Sequence, residues 1–223
     1  FTIAGGVGAS RIARWNGTSW ASVGGGMNGE VRCLITLTNG DLVAGGAFTT
    51  AGSVTASSIA RWNGAAWSSL GSGISGDVSA LAVLHTGALV AGGSFSMAGG
   101  VSASSIASWN GTTWSALALG ISGGVLALTV LTNGDLVAGG SFSTAGGYVA
   151  RSIARWDGVG WFALDSAGMD RRVVSLATRP NGDLVAGGDF NLAGGVVTGG
   201  IALWNGTSWS AIGTNLVGWA YSL

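Results

Sequence analysis

The sequence predicts an all-β protein built from repeated four-stranded sheets, and three regularities of the chain support this prediction. Tryptophans recur in two series whose members are 47 or 48 residues apart. Asn-Gly dipeptides separate short apolar segments, and Gly-Gly doublets end other apolar segments at the same period. A sequence period of roughly 20 to 50 residues is typical of solenoids, propellers and related repeat architectures.

Five copies of the repeat are visible in the aromatic residues. The first tryptophan series has intervals of 47, 47, 47 and 48 residues, and a second tryptophan series and a phenylalanine series keep the same intervals. Units are accordingly expected to begin near residues 31, 78, 125 and 173. The three series are Trp15, Trp62, Trp109, Trp156 and Trp204; Trp20, Trp67, Trp114, Trp161 and Trp209; and Phe1, Phe48, Phe95, Phe142 and Phe190.

One unit of the repeat predicts four short antiparallel strands. Its apolar segments are separated by a His-Thr-Gly turn, which reads Asn-Gly-Asp in three other units, by a loop of small residues and by an Asn-Gly pair. Sheets that are apolar on both faces can be buried if they pack around a common axis, as in a β-propeller. The expected strands of the second unit are residues 78–84, 89–95, 105–109 and a segment that starts at residue 112.

The Asn-Gly pair between the third and fourth strands predicts a tight hairpin. Both residues tolerate the positive φ angles of a two-residue type I′ turn. We therefore expect Trp109 to face Thr112 across the turn and Trp114 to lie diagonally opposite on the same side of the sheet. The ten tryptophans of the two series are predicted to pack between adjacent sheets.

The repeated pattern ALxVLxNGDLVAGG, followed by IARWNGxxW, resembles the kelch repeat. In that repeat a strand ends in a Gly-Gly doublet, and an aromatic residue and a tryptophan follow in the next two strands. The resemblance covers the whole chain and implies a β-propeller with one blade per unit. The matching positions are the doublets Gly45-Gly46, Gly92-Gly93, Gly139-Gly140 and Gly187-Gly188, and the second tryptophan series.

Five blades in a single domain, residues 1–223, are predicted, and one blade is incomplete. Five units of 47 residues with one inserted residue amount to 236 residues, 13 more than the 223 of the chain. Residues 1–23 are expected to supply the third and fourth strands of the closing blade, and residues 216–223 its first strand, so that strands from both termini close the ring. The second strand is missing. Either it has been lost by proteolysis or lies outside the given residues, or its slot accepts a strand from a peptide, a neighbouring chain or more of the native polypeptide.

The composition argues against two classes of function. Charged residues make up 8% of the chain, nine arginines balance nine acidic residues, and lysine is absent. Because the chain has no net positive charge, we do not expect it to bind nucleic acid. Every apolar stretch is interrupted before the roughly 18 residues of a spanning helix, so no membrane span is expected.

Few residues are suited to catalysis or to metal binding. His85 is the single histidine and lies in a turn, and Cys33 is the single cysteine and lies in an apolar segment. A catalytic triad or a histidine-rich metal site needs more such groups in convergent positions. Asp41, Asp135 and Asp183 occur one per unit, too far apart for a calcium site. We therefore expect no catalytic residue, no metal, no cofactor and no enzymatic activity.

One segment departs from the repeat and is the candidate ligand-binding region. The stretch FALDSAGMDRR, residues 162–172, contains one more residue than its counterparts and concentrates charge in a sparsely charged chain. A loop that differs from its counterparts can present a ligand contact on a rigid scaffold, although neutral drift in a solvent loop is the alternative. A tryptophan near the C-terminus also stands where other units have Glu, Asp, Gly or Arg. The candidate residues are Asp165, Asp170, Arg171, Arg172 and Trp219.

These observations favour a non-enzymatic interaction or scaffold module that binds a protein or a surface polymer through propeller loops. The alternative is a lectin-like carbohydrate-binding propeller, resembling the tachylectin architecture, with one shallow sugar site per blade gap. Tryptophan would supply the stacking face, and Asn, Asp and Ser would bind hydroxyl groups. An enzyme would need acids clustered in the central channel. By analogy with repetitive bacterial surface proteins, we expect an extracellular or cell-surface location.

Overall fold

A computed structural model describes residues 1–213, 218 and 220–222. Regular secondary structure within these residues consists of 26 short β-strands and no helix. In chain order the strands are β1 (Ile3–Ala4), β2 (Val7–Gly8), β3 (Ala13–Trp15), β4 (Trp20–Ser22), β5 (Glu30–Thr36), β6 (Leu42–Ala47), β7 (Thr50–Ala51), β8 (Val54–Thr55), β9 (Ile59–Trp62), β10 (Trp67–Ser69), β11 (Ile74–Val83), β12 (Leu89–Ala98), β13 (Val101–Ser102), β14 (Ile106–Trp109), β15 (Trp114–Ala116), β16 (Ile121–Val130), β17 (Leu136–Ala145), β18 (Tyr148–Val149), β19 (Ile153–Trp156), β20 (Trp161–Ala163), β21 (Val173–Thr178), β22 (Leu184–Gly188), β23 (Leu192–Ala193), β24 (Val196–Val197), β25 (Ile201–Trp204) and β26 (Trp209–Ala211).

Four antiparallel sheets repeat one strand order, and we name them blades one to four. They are β5-β6-β9-β10, β11-β12-β14-β15, β16-β17-β19-β20 and β21-β22-β25-β26. The first strand of each later blade packs against the first two strands of the blade before it. Sheets that stack face to face in this way form a β-propeller, which confirms the predicted all-β propeller fold.

The Gly-Gly doublets lie where two backbones or two blades approach closely. A Cβ on Gly45 would lie 2.6 Å from Cγ1 of Val78 in the next blade, and a Cβ on Gly46 would collide with the Glu30 carbonyl oxygen of the first strand. Because the first glycine has no side chain, the next blade can pack closely against it. The second glycine in the same way leaves room for the neighbouring strand of its own blade.

The tryptophans of the second series hold neighbouring blades together. In blades one to four they are buried, and the indole N–H of Trp114 donates a hydrogen bond of 2.9 Å to the Leu70 carbonyl of the preceding blade. Trp67 and Trp161 make the equivalent bonds. Packing between sheets is thus confirmed for these four blades, whereas Trp15 and Trp20 are 50% and 40% exposed.

The hairpin between the third and fourth strands differs from the prediction. Trp109 pairs directly with Trp114 across a four-residue loop, not diagonally across a two-residue turn. The side-chain oxygen of Asn110 accepts bonds of 2.9 Å from the backbone N–H groups two and three residues later. Gly111 has a φ of 102°, whereas Asn110 lies outside the positive-φ region that a type I′ turn also requires. The asparagine cap stabilises the longer loop and brings the paired indole centroids to 5.4 Å.

The number of blades also differs from the prediction. The described residues form four blades, whereas five blades, one of them incomplete, were predicted. The strands β3 and β4 form one of four separate two-stranded sheets in the described residues. Among the described residues β3 pairs with β4 alone. Of the predicted closing strand, residues 216, 217, 219 and 223 lie outside the described part of the chain.

Candidate functional site

The irregular segment between β20 and β21 borders a cavity of about 520 Å³ between blades three and four. Three of the predicted ligand-binding residues, Asp170, Arg171 and Arg172, line this space, which we call the interblade cavity. They come together because all three directly precede β21. Hydroxyl and carboxylate groups complete the wall, from Ser122, Ser141, Ser143, Ser152 and Asp189.

Asp170 stabilises the wall of the cavity. One carboxylate oxygen accepts hydrogen bonds of 2.8 Å from the backbone N–H groups of Asn191 and Leu192. Asn28 occupies the corresponding place in blade one, where its side-chain oxygen accepts bonds from the backbone of Thr49 and Thr50. Asp170 therefore accepts the same pair of backbone hydrogen bonds as Asn28 does, and it adds a negative charge beside the cavity.

Arg172 is fixed by an ion pair. Its guanidinium group donates bonds of 2.9 and 2.7 Å to one oxygen of Asp189, whose side chain is only 15% exposed. Burial opposes ionisation of Asp189, but the hydrogen bonds and charge of Arg172 outweigh it and lower the pKa of the carboxyl group. The same bonds raise the pKa of Arg172. Both groups are charged at neutral pH.

Arg171 is the second cation that lines the cavity. It is exposed, and within the described residues its side chain makes no hydrogen bond or ion pair. A free guanidinium group beside serine hydroxyls suits a carboxylate or another planar anionic group, which it can bind through two parallel hydrogen bonds.

The structure separates the other two predicted residues from this cavity. One oxygen of Asp165 caps the inserted loop by accepting bonds from the backbone of Ala167 and Gly168. Its other oxygen is buried without a partner in the described residues, as is the indole nitrogen of Trp209. Asp165 thus belongs to the packing between blades three and four. Trp219 lies outside the described residues.

The serines of the cavity and Asp189 were not predicted from the sequence. Serine is frequent in loops of this chain, so its presence in four wall positions gives no distinct signal. Ser152 is buried and has a φ of 63°, but Ser58 and Ser105 share both properties in other blades, so these properties belong to the repeat and do not mark the cavity. Asp189 follows a Gly-Gly doublet where other units have Ala or Ser, a departure from the repeat that could have identified it.

Groups that could act in catalysis do not converge in the described residues. No cluster of three or more His, Cys, Asp or Glu side chains suited to a metal occurs in that part of the chain. Burial raises the pKa of the Cys33 thiol to about 12, so that the thiol is protonated and weakly nucleophilic at neutral pH. His85 lies exposed in its turn.

These features define the protein as a β-propeller with a polar cavity between two blades. The family model of the Rax2 C-terminal beta propeller domain matches residues 21–110, less than half of the chain. No curated protein matches the sequence. The comparisons therefore support the propeller fold, and the more specific kelch-like assignment stays a prediction.

Several solved structures are similar in fold. The extracellular domain of a putative one component system from B. thetaiotaomicron has 11% identity and a TM-score of 0.51; the match covers 78% of this chain and 21% of that one. This chain thus spans about a fifth of that structure. The WD40 beta propeller domain of Doa1 has 18% identity and a TM-score of 0.48, over 71% and 48% of the two chains. YCF48 bound to D1 peptide has 16% identity and a TM-score of 0.42, over 82% and 63%.

A helix long and apolar enough to cross a membrane is not found among the described residues.

Proposed function

We propose that the protein is a non-enzymatic interaction module that binds a protein segment bearing a carboxylate at the interblade cavity. The observation that supports this proposal most directly is the unpaired, exposed Arg171 beside a polar cavity of about 520 Å³. Arg172 is already neutralised by Asp189, and Asp170 is occupied by backbone N–H groups. Arg171 is then the group free to pair with an incoming anion.

Selection of random peptides on the immobilised protein tests this proposal. We expect the selected peptides to be enriched in Asp, Glu or a free C-terminal carboxylate, and Arg171→Gln to weaken their binding about tenfold, since a charged hydrogen-bonded pair is lost. Arg179→Gln is the matched control, because Arg179 is an exposed arginine of the same blade outside the cavity. Peptides without acidic groups, or equal effects of the two substitutions, would refute the proposal.

A lectin with one sugar site per blade gap is the weaker alternative. The second-series tryptophans of blades one to four are 2% to 5% exposed, so they offer little stacking surface to a sugar ring. Trp15 and Trp20 present more exposed faces, but both lie on the β3-β4 sheet. Binding on a glycan array that saturates at several equivalent sites would favour the lectin over the interaction module.

We also propose that β3-β4 and the described residues near the C-terminus belong to one incomplete fifth blade. On one side, Trp67 of blade one donates its indole N–H to the Val23 carbonyl that follows β4. On the other, a Cβ on Gly187 of blade four would lie 3.0 Å from Cβ of Ala220, as Gly45 faces Val78 between blades one and two. Both flanking blades therefore have a neighbour where a fifth blade would lie.

Distances between spin labels on the hairpin loops test the five-bladed ring. Ser19, Ala66 and Ser208 are exposed and each precede a second-series tryptophan, so they mark equivalent points on the fifth, first and fourth blades. With Cys33 replaced by serine, we expect the Ser19–Ser208 and Ser19–Ala66 distances to be equal, because the fifth blade then has two neighbours at the same spacing. A much longer Ser19–Ser208 distance would show an open arrangement and exclude the ring.

We further propose an extracellular or cell-surface location. The sparse charge and small polar residues of the chain fit this proposal, and one protein of similar fold is itself described as an extracellular domain.

A further inference from the structure

We infer that β3 and the first strand of blade one border an acceptor slot for one extended partner strand with the pattern Leu-Val-Ala-Gly-Gly. The inference rests on the proposed incomplete fifth blade and identifies the chemistry of the strand that completes it. We call this space the strand slot and define it by the edge of β3 and by Val31 and Leu34 of β5.

One edge of β3 is unpaired among the described residues. In blade one the third strand pairs with the second in the register Leu42↔Trp62, Val43↔Arg61, Ala44↔Ala60 and Gly45↔Ile59. The other three blades keep four equivalent pairs. Within the described residues β3 pairs with β4 alone. An unpaired strand edge binds an added strand through main-chain hydrogen bonds, and the repeat places the partner's leucine opposite Trp15.

One face of β5 is more exposed than the corresponding face in the other blades. The first strand of each of blades two to four contains a completely buried valine that a glycine doublet of the preceding blade covers: Val78, Val125 and Val173. The equivalent Val31 is only half-buried. Leu34 is 51% exposed, whereas its counterpart Leu81 is half-buried. Blade one therefore lacks on this face the cover that the other three blades have.

Two cavities lie beside β5 on this side of blade one. A cavity of about 490 Å³ reaches from Ile12, Ala13 and Arg14 to Leu34 of β5. A second cavity, of about 440 Å³, lies between Phe1 and Val31. The two cavities thus adjoin β5 at different points along its length. Their other walls include β3 and residues that precede it, as expected if one extended strand lies along this side of β5.

The repeat also predicts which residues the strand needs. At the three interfaces between complete blades, a Cβ on the first glycine of the doublet would lie 2.5 to 2.6 Å from Cγ1 of the facing valine. Val31 is the facing valine of the strand slot. A partner strand must therefore have glycine facing Val31. A larger side chain at that position would collide with Val31, so an ordinary apolar β-strand cannot pack as closely against β5.

Peptide binding to the whole chain tests the inference. The probe is Asn-Gly-Asp-Leu-Val-Ala-Gly-Gly-Ala, the sequence of residues 39–47, and its control has valine in place of both doublet glycines. We expect saturable one-to-one binding of the probe and at least about tenfold weaker binding of the control. The control peptide is more apolar and more prone to form strands. Nonspecific binding would therefore make the control bind more tightly than the probe, the opposite of the expected result.

Hydrogen exchange and a surface substitution locate the bound peptide. We expect the probe to slow amide exchange in residues 12–15, with no change in the already paired β14. Leu34→Glu should weaken peptide binding at least about tenfold without unfolding the protein, because Leu34 is exposed. Leu119→Glu is the control and should leave peptide binding unchanged, because Leu119 is a 76% exposed leucine away from the strand slot. Protection that appears without peptide and grows with protein concentration would assign the slot to a second copy and overturn the inference.

Failure of this inference is distinguishable from failure of the proposals on which it rests. Equal label distances without any peptide binding would refute the strand slot but leave the fifth blade standing. Unequal distances without binding would refute both. Loss of acidic-peptide binding in Arg171→Gln concerns the interblade cavity alone, since Arg171 does not line the strand slot.

Discussion

Gly93→Ala is expected to lower the free energy of unfolding by about 3 kcal/mol or more, although alanine ordinarily suits a strand better than glycine. A Cβ at this position would collide with the Asp77 carbonyl oxygen and lie 3.0 Å from Cα of Val78. Both atoms belong to backbone that Gly93 itself pairs with, since Val78 is its register partner. The strand cannot relieve the collision without losing its pairing.

Gly8→Ala provides the matched control for this substitution. Gly8 also lies in a strand, has no positive φ, and has no heavy atom within 4 Å of its built Cβ. We expect its substitution to change stability by less than about 0.5 kcal/mol. Chemical denaturation of the two variants and the parent protein measures the difference. A loss below about 1 kcal/mol in Gly93→Ala would show that the doublet is not required for close packing.

The sequence indicates a shared role for the doublets because the chain repeats them at equal positions. One Gly-Gly pair would be consistent with many structures, but four pairs at equal positions before a tryptophan hairpin indicate a shared steric demand. The same reasoning predicts the strands, since each copy independently shows the same order of apolar segments and turns. Blade architecture was therefore predictable without knowledge of any side-chain contact.

The hairpin register was not predictable from the same pattern, because two turn chemistries compete for Asn-Gly. The backbone preference of the dipeptide favours a type I′ turn, whereas the asparagine side chain can instead cap two later N–H groups. In the structure the cap forms, as Asn110 and Asn205 both show. The two tryptophans are consequently direct partners, a result that depends on three-dimensional contacts between indoles.

The candidate site was predicted in part, for a physical reason. Asp170, Arg171 and Arg172 are adjacent in sequence just before β21, so a shared location followed from the chain itself. The serines and Asp189 reach the same cavity from other strands, and their proximity depends on how blades three and four pack. Asp165 lies in the same segment, but the inserted loop turns it into the interface between blades.

Trp114→Phe is expected to destabilise the protein by about 1 to 2 kcal/mol more than Trp209→Phe does. The two tryptophans are equivalent in the repeat and almost equally buried, at 4% and 5% exposed. Trp114 donates its indole N–H to Leu70, whereas the indole nitrogen of Trp209 has no partner among the described residues. Substitution of Trp114 removes one of the two hydrogen bonds that the Leu70 carbonyl accepts, since the Gly73 N–H also donates to it. Substitution of Trp209 instead removes a buried donor that is already unsatisfied.

Comparison of the two phenylalanine variants isolates the hydrogen bond from the packing, because both lose the same ring volume. Chemical denaturation gives the difference, and Trp161→Phe should behave like Trp114→Phe, since Trp161 donates an equivalent bond of 3.1 Å to Leu117. Equal losses in all three variants would mean that shape alone holds the blades together. The expected order instead shows that the indole hydrogen bond adds to the stability that packing provides, and Trp209 lacks this bond. By this argument the interface between blades three and four, beside the candidate binding cavity, lacks one bond that the interfaces before it have.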